Sequence, residues 1–94
     1  MISYKILFEG IEIGILDTDT EKIMHRYTHD EAGLNEMKEK GFEPFRFMDF
    51  YKDTGWTKPI PFFENRIRNC RKFKENPKVI GYHTDPFRLV LIEE

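Results

Sequence analysis

The chain has 94 residues, 15% of them aromatic, and a formal net charge of −2 at pH 7. This length predicts a single domain over residues 1–94, with a small core that depends on large side chains. The single cysteine excludes a disulfide framework, and neither a secretory signal pattern nor a membrane-spanning apolar run is present, so we expect a cytoplasmic protein with no membrane partner.

The first part of the chain shows the pattern of a β-hairpin. Tyr4, Ile6 and Phe8 alternate with other residues, Glu9-Gly10 supplies a turn, and residues 11–15 alternate again. Period-2 alternation on both sides of a glycine turn is typical of two antiparallel strands. A polar turn at residues 17–20 and a third strand at residues 22–27 are predicted to follow.

A helix is predicted over residues 30–40, followed by an aromatic strand. Thr28 and Glu31 have the spacing of a capping box, and Gly41 is placed just past the helix end. Pro44 then leads into the strand at residues 45–51. A turn at residues 52–55 precedes Trp56.

A second helix is predicted over residues 63–76. Phe63, Ile67, Cys70 and Phe73 recur at spacings of four, three and three, so we expect them to be buried and the basic side chains of the helix to be exposed. Residues 87–92 fit either a terminal strand or a helix that starts at Asp85-Pro86, and their β-branched residues favour the strand slightly. The predicted fold class is α+β, with an antiparallel sheet of four to five strands and two helices.

Charge is unevenly distributed along the chain. Residues 1–56 hold 7 basic and 12 acidic side chains, a net of −5, whereas residues 57–94 hold 8 basic and 5 acidic, a net of +3. The basic residues of the second helix, together with an aromatic anchor, predict one partner-binding surface. Its predicted members are Trp56, Lys58, Arg66, Arg68, Arg71 and Lys72.

Other interpretations of these residues remain open. The basic residues fit a solvated helix face, an acidic protein partner or nucleic acid, although a sequence pI of about 5.9 disfavours specific DNA binding. Trp56 fits either a core position or an interface.

The residue types of a thiol hydrolase are present, but their placement argues against catalysis. Cys70, His83 and Asp85 form that set, and Cys70 falls on the apolar side of the second helix, where a thiol is inert. His25 and His29 lack the spacing of a metal site. No glycine-rich phosphate loop occurs, so we expect no enzyme activity, no cofactor and no bound metal.

Several phrases in chain order resemble the N-terminal small domain of HipA-type Ser/Thr kinases, the toxins of bacterial toxin–antitoxin systems. The most specific of these is Pro61-Phe62-Phe63-Glu64-Asn65. Weaker matches are the glycine-containing hairpin at residues 8–16, the segment from Tyr27 to Leu34, the strand from Pro44 onward, and the Pro-Phe-x-Leu phrase at residues 86–89. Residues 66–70 depart from the Leu-Leu-Pro-Glu-Gly of the family, and the 94 residues contain no kinase core.

The resemblance implies a regulatory protein–protein interaction module, in particular an antitoxin that binds and restrains a separate HipA-like kinase. A second hypothesis is a small phage or mobile-element protein that inhibits a host protein or a nucleic-acid enzyme.

Overall fold

The computed structural model describes residues 1–42, 53–71, 77–82 and 84–92. The elements are β1 (Ile2–Phe8), β2 (Ile11–Asp19), β3 (Met24–His29), α1 (Glu31–Glu39), β4 (Gly55–Thr57), α2 (Pro61–Arg71), β5 (Val79–Ile80) and β6 (Phe87–Leu91). The α+β class with two helices and an antiparallel sheet is confirmed. Within the described ranges the sheet has six strands rather than four to five. The strand predicted at residues 45–51 lies outside those ranges.

The sheet has the strand order β4-β3-β2-β1-β6-β5, and every neighbouring pair is antiparallel. The predicted β1–β2 hairpin is confirmed. Its turn residues Glu9 and Gly10 have φ of 50° and 81°, the paired left-handed conformation that suits a two-residue hairpin loop. The chain end from Phe87 to Leu91 is a strand paired with β1, which decides against a helix there.

Helix α1 ends as predicted but begins differently. Gly41 has a φ of 75°, its N–H donates to the Lys38 carbonyl, and the Phe42 N–H donates to the Met37 carbonyl. These two hydrogen bonds form the glycine-terminated helix end expected from the sequence. The N-cap is Asp30, whose carboxylate accepts from the Gly33 N–H at 2.9 Å. The predicted capping role of Thr28 is wrong, because that residue belongs to β3.

The core lies between α2 and one face of the sheet. Phe63 and Ile67 are buried as predicted, and the Phe63 ring stacks on Tyr27 of β3 with the ring centroids 5.8 Å apart. Cys70 is half-buried rather than fully buried, and Phe73 lies outside the described residues. We call the sheet face opposite α2 the outer face. Neither described helix is long and apolar enough to cross a membrane.

Candidate functional site

Trp56 lies on the outer face of the sheet, at the edge strand β4. In the β3–β4 register Trp56 pairs with Arg26, and its neighbour Gly55 pairs with Tyr27. Since Tyr27 faces the core and side chains alternate along a strand, Arg26 and Trp56 face the opposite way. Trp56 retains 41% of its surface accessible to solvent. It is therefore not the buried core residue that the sequence left open as an alternative.

A row of four side chains in register runs across the outer face and ends at Trp56. Ser3 pairs with Asp17, Asp17 with Arg26, and Arg26 with Trp56, one residue from each of β1 to β4. The Asp17 carboxylate accepts from Ser3 Oγ at 2.6 Å, and from Arg26 Nε and Nη2 at 3.0 and 2.7 Å. The Arg26 guanidinium carbon lies 4.6 Å from the Trp56 ring centroid. We call these four residues the Trp56 cluster.

The hydrogen bonds of the Trp56 cluster fix the cation against the indole ring. Both bonds from Arg26 go to Asp17, whose side chain is only 13% exposed, so the guanidinium has a defined position before any partner arrives. A cation over an indole face is attractive in its own right. The cluster is thus a rigid, half-exposed aromatic–arginine site.

Further apolar side chains extend the outer face beside the cluster. A second row in register contains, from β5 to β3, Val79, Val90, Lys5, Ile15 and Thr28. Val79 is 56% exposed, whereas Val90 and Ile15 are half-buried. The described outer face therefore carries both apolar and charged side chains.

The two basic residues of α2 whose side chains the structure describes, Arg66 and Arg68, differ in exposure. Arg66 is 8% exposed, and this corrects the prediction that it lies on a solvent-facing surface. Arg68 is exposed and lies 3.4 Å from Glu64. Arg71 ends the helix, Lys58 is exposed in the segment before it, and Lys72 lies outside the described residues.

Arg66 is buried because its guanidinium contacts two aromatic rings and a carboxylate inside the fold. The guanidinium carbon lies 3.8 Å from the Phe62 ring centroid and 4.6 Å from that of Tyr82. Nη2 donates to the Asp85 carboxylate, and Nη1 donates to the Phe62 carbonyl at 2.7 Å. Arg66 thus links α2 to the turn before β6.

The structure also separates Trp56 from α2. Trp56 projects from the outer face, whereas α2 packs on the opposite face through Phe63 and Ile67. Trp56 therefore does not share an exposed surface with the buried Arg66. For Arg71 and Lys72, whose side chains lie outside the described part of the chain, the expectation of one shared surface stays a prediction. Only the register of β4 on β3 decides which way Trp56 points, and the sequence around Trp56 does not reveal that register.

The residues of the hypothetical thiol hydrolase have other roles where the structure describes them. Asp85 accepts from Arg66 and from the Phe87 N–H, and it lies 3.6 Å from Arg88. Cys70 packs half-buried against the core, and His83 lies outside the described residues. Asp85 therefore acts as a structural anion for two arginines.

His25 occupies a defined polar site between β3 and α2. It is 3% exposed, its Nδ1 accepts from the Ile60 N–H at 3.0 Å, and its Nε2 lies 3.1 Å from the Glu64 carboxylate. Burial lowers the pKa of His25, and the nearby Glu64 carboxylate only partly opposes this shift. Since Nδ1 is an acceptor, the imidazole is neutral at pH 7 and carries its proton on Nε2, which donates to Glu64.

His29 makes a separate contact at the other end of β3. Its Nδ1 lies 2.7 Å from Asp53, and its backbone N–H donates to the same carboxylate oxygen. The backbone bond, with the ring contact, lowers the pKa of Asp53. In the described part of the chain no cluster of three His, Cys, Asp or Glu side chains is placed to hold a metal.

Sequence reasoning missed the partners of Trp56. The sequence pattern places Asp17 in a polar turn, whereas β2 continues to Asp19. Asp17 and Arg26 stand equally far from the centre of the β2–β3 turn, and that symmetric pairing of opposite charges was the available signal.

No family model matches the chain, and comparison with curated proteins and with solved structures found no match.

Proposed function

We propose that this chain is a small regulatory protein–protein interaction module that binds its partner through the Trp56 cluster. The observation that carries the proposal is the half-exposed Trp56 ring held against an Arg26 guanidinium that Asp17 fixes in place. Tryptophan and arginine are the residue types most enriched at the energetic centres of protein interfaces.

Preorganisation favours this site over the basic residues of α2. An arginine that is already bonded to a carboxylate loses little side-chain freedom when a partner covers it. Arg68, by contrast, is exposed and has only a 3.4 Å contact with Glu64, so ordering it on binding is costly. The half-buried Ile15 and Val90 supply apolar contact area beside the cluster.

The resemblance to the N-terminal domain of HipA-type kinases suggests the partner. On this proposal the chain binds a separate HipA-like kinase and restrains it, as an antitoxin does. A phage or mobile-element inhibitor of a host protein or nucleic-acid enzyme is the competing function, and it predicts a different partner for the same surface.

Affinity purification from the native host, followed by mass spectrometry, tests both functions. The bait is compared with Trp56→Ala and with a control, Lys38→Ala, which alters an exposed residue of α1. We expect one protein to be retained by the wild type and the control and to be absent with Trp56→Ala. A retained HipA-like kinase supports the antitoxin function, and a retained host polymerase or nuclease supports the competing one.

Binding measurements on the purified protein and its retained partner then give the loss of affinity. Trp56→Ala should weaken binding by about 2 kcal/mol, roughly 30-fold, as truncation of a central interface residue does. Its cost in folding stability should be only about 1 kcal/mol, because the ring is 41% exposed and its chief interaction within the fold is the cation–π pair with Arg26. Undiminished binding by Trp56→Ala would refute the proposed site.

A further inference from the structure

A groove lies on the other side of the molecule, between the β2–β3 turn and α2. Its cavity has a volume of about 190 Å³, large enough for one long side chain. Its walls include Tyr4, Asp19, Ile23, His25, Glu64 and Ile67. The residues come from three strands, a turn and a helix, so the fold itself holds the groove open.

Tyr4 is a buried residue whose hydroxyl lacks a partner in the described part of the chain. Tyr4 is 2% exposed, yet its hydroxyl forms no hydrogen bond with any residue of the described ranges. It is not sealed in the core either, because in those ranges Arg66 Nε is the one fully enclosed side-chain nitrogen or oxygen that lacks a partner. The hydroxyl therefore opens onto the groove that Tyr4 lines. Because it opens onto the groove, this hydroxyl is available to hydrogen-bond a group that enters there.

The lining of the groove is acidic. Among the described residues it holds two carboxylates, Asp19 and Glu64, and no lysine or arginine. His25 adds no positive charge, because its Nδ1 accepts the Ile60 N–H. Asp19 Oδ1 accepts hydrogen bonds from the Lys22 and Glu21 N–H groups, and these bonds lower the pKa of Asp19, which keeps it ionised. Cations lie close by, because Arg68 is 3.4 Å from Glu64, and the charges of Lys22 and of the chain's amino terminus also help to lower the pKa of Asp19. Each carboxylate retains acceptor capacity after its contacts within the protein.

An exposed apolar side chain stands beside these acceptors. Ile23 is 68% exposed and has a φ of 54°, a left-handed conformation that is sterically unfavourable for a β-branched residue. Ile67 of α2 supplies apolar surface on the helix side. The groove lining thus combines carboxylates with apolar side chains, the groups that suit a cation on an alkyl stem.

We propose that the groove binds a lysine side chain of a partner protein. The three donors of the ammonium group match three acceptors of the lining, Glu64, Asp19 and the Tyr4 hydroxyl, and the methylene stem packs on Ile23 and Ile67. The groove is distinct from the Trp56 cluster, which lies on the outer face. Binding of a lysine in the groove does not depend on whether Trp56 binds a partner.

Titration followed by ¹H–¹⁵N NMR tests the proposal. The probes are Nα-acetyl-lysine methylamide, its neutral norleucine analogue, and n-butylammonium. We expect the lysine probe to shift the amides around Asp19, His25 and Glu64 with a dissociation constant in the millimolar range, as suits a single side chain. The norleucine analogue should bind at least about fivefold more weakly, because it lacks the charge.

Two variants locate the site, and a third is the matched control. Glu64→Gln should weaken lysine binding about tenfold while its amide oxygen still accepts from His25, and Tyr4→Phe should weaken it about fivefold. Glu36→Gln removes an equal charge from the exposed face of α1 and should leave binding unchanged. The proposal is overturned if the norleucine analogue binds as well as lysine, or if Glu36→Gln weakens binding as much as Glu64→Gln. Binding of n-butylammonium without binding of the lysine probe would also overturn it, in favour of a free amine.

Discussion

The buried pair between Arg66 and Asp85 gives a quantitative prediction about stability. Both side chains are 9% exposed, and the guanidinium also stacks on Phe62. Replacing Arg66 with Leu preserves apolar contact with the ring but leaves the Asp85 carboxylate buried without its main cation. Arg88, 3.6 Å away, and the Phe87 N–H still stabilise that carboxylate.

The magnitude follows from what each variant leaves buried. Removing one member of a buried pair usually costs about 3–5 kcal/mol, and the remaining partners of Asp85 place Arg66→Leu near the lower end, at about 3 kcal/mol. Asp85→Leu should cost about as much, because Arg66 then keeps a buried charge with its Nε already unpartnered. The double variant buries neither charge, so its cost should not exceed about 3 kcal/mol. For a small domain with a total stability of roughly 5–15 kcal/mol these effects are large.

Urea denaturation followed by circular dichroism measures all four proteins. The expected outcome is a coupling free energy of at least about 3 kcal/mol between the two positions. If the destabilisation of the double variant equals the sum of the two single effects, the charges act independently, and the predicted coupling between Arg66 and Asp85 is refuted. Single effects below about 1 kcal/mol would show that water reaches the pair and screens it.

Two further predictions concern the groove side of the molecule. The pKa of His25 is lowered in the folded state from its ordinary value of 6.5, so below pH 6.5 the unfolded chain binds more protons than the folded one. The free energy of unfolding should therefore be highest above pH 6.5. It should fall as the pH drops below that value, by at most about 1.4 kcal/mol per pH unit. His25→Asn, whose side-chain oxygen can still accept the Ile60 N–H, should flatten that dependence in chemical denaturation between about pH 7 and 5.5, and parallel profiles would contradict the assignment. Ile23→Asn should raise the free energy of unfolding by about 0.5–1 kcal/mol, because asparagine tolerates the left-handed conformation and Ile23 is mostly exposed; a lower melting temperature would instead show that the Ile23 side chain contributes to packing.

Local patterns predicted the elements that local physics determines. The β1–β2 hairpin follows from alternation and a two-residue turn, and the end of α1 follows from a glycine in the left-handed conformation. Helical spacing alone places Phe63 and Ile67 in the core. Strands β4 and β5 have three and two residues, too few to show alternation, and they exist because longer strands pair with them.

The positions of Arg66 and Trp56 depend on contacts between distant parts of the chain. Arg66 looks like a surface residue within its helix, and it is buried only because Tyr82 and Asp85 arrive from a later segment. The direction of Trp56 depends on pairing with a strand some thirty residues earlier, through Arg26. Local sequence patterns do not show such pairings. The composition therefore made Trp56 an interface candidate without showing which face of the sheet it lies on.

The position of β1 in the sheet has a consequence for folding order. β1 pairs with β2 in a local hairpin on one side and with β6, at the far end of the chain, on the other. During synthesis β1 to β3 can form a meander early, but the second edge of β1 must wait until residues 87–91 have been made. Until then that edge, from Tyr4 to Phe8, presents unpaired backbone groups beside apolar side chains, the arrangement most prone to wrong intermolecular pairing. Pairing with β6, a contact between distant parts of the chain, is thus what covers the second edge of β1.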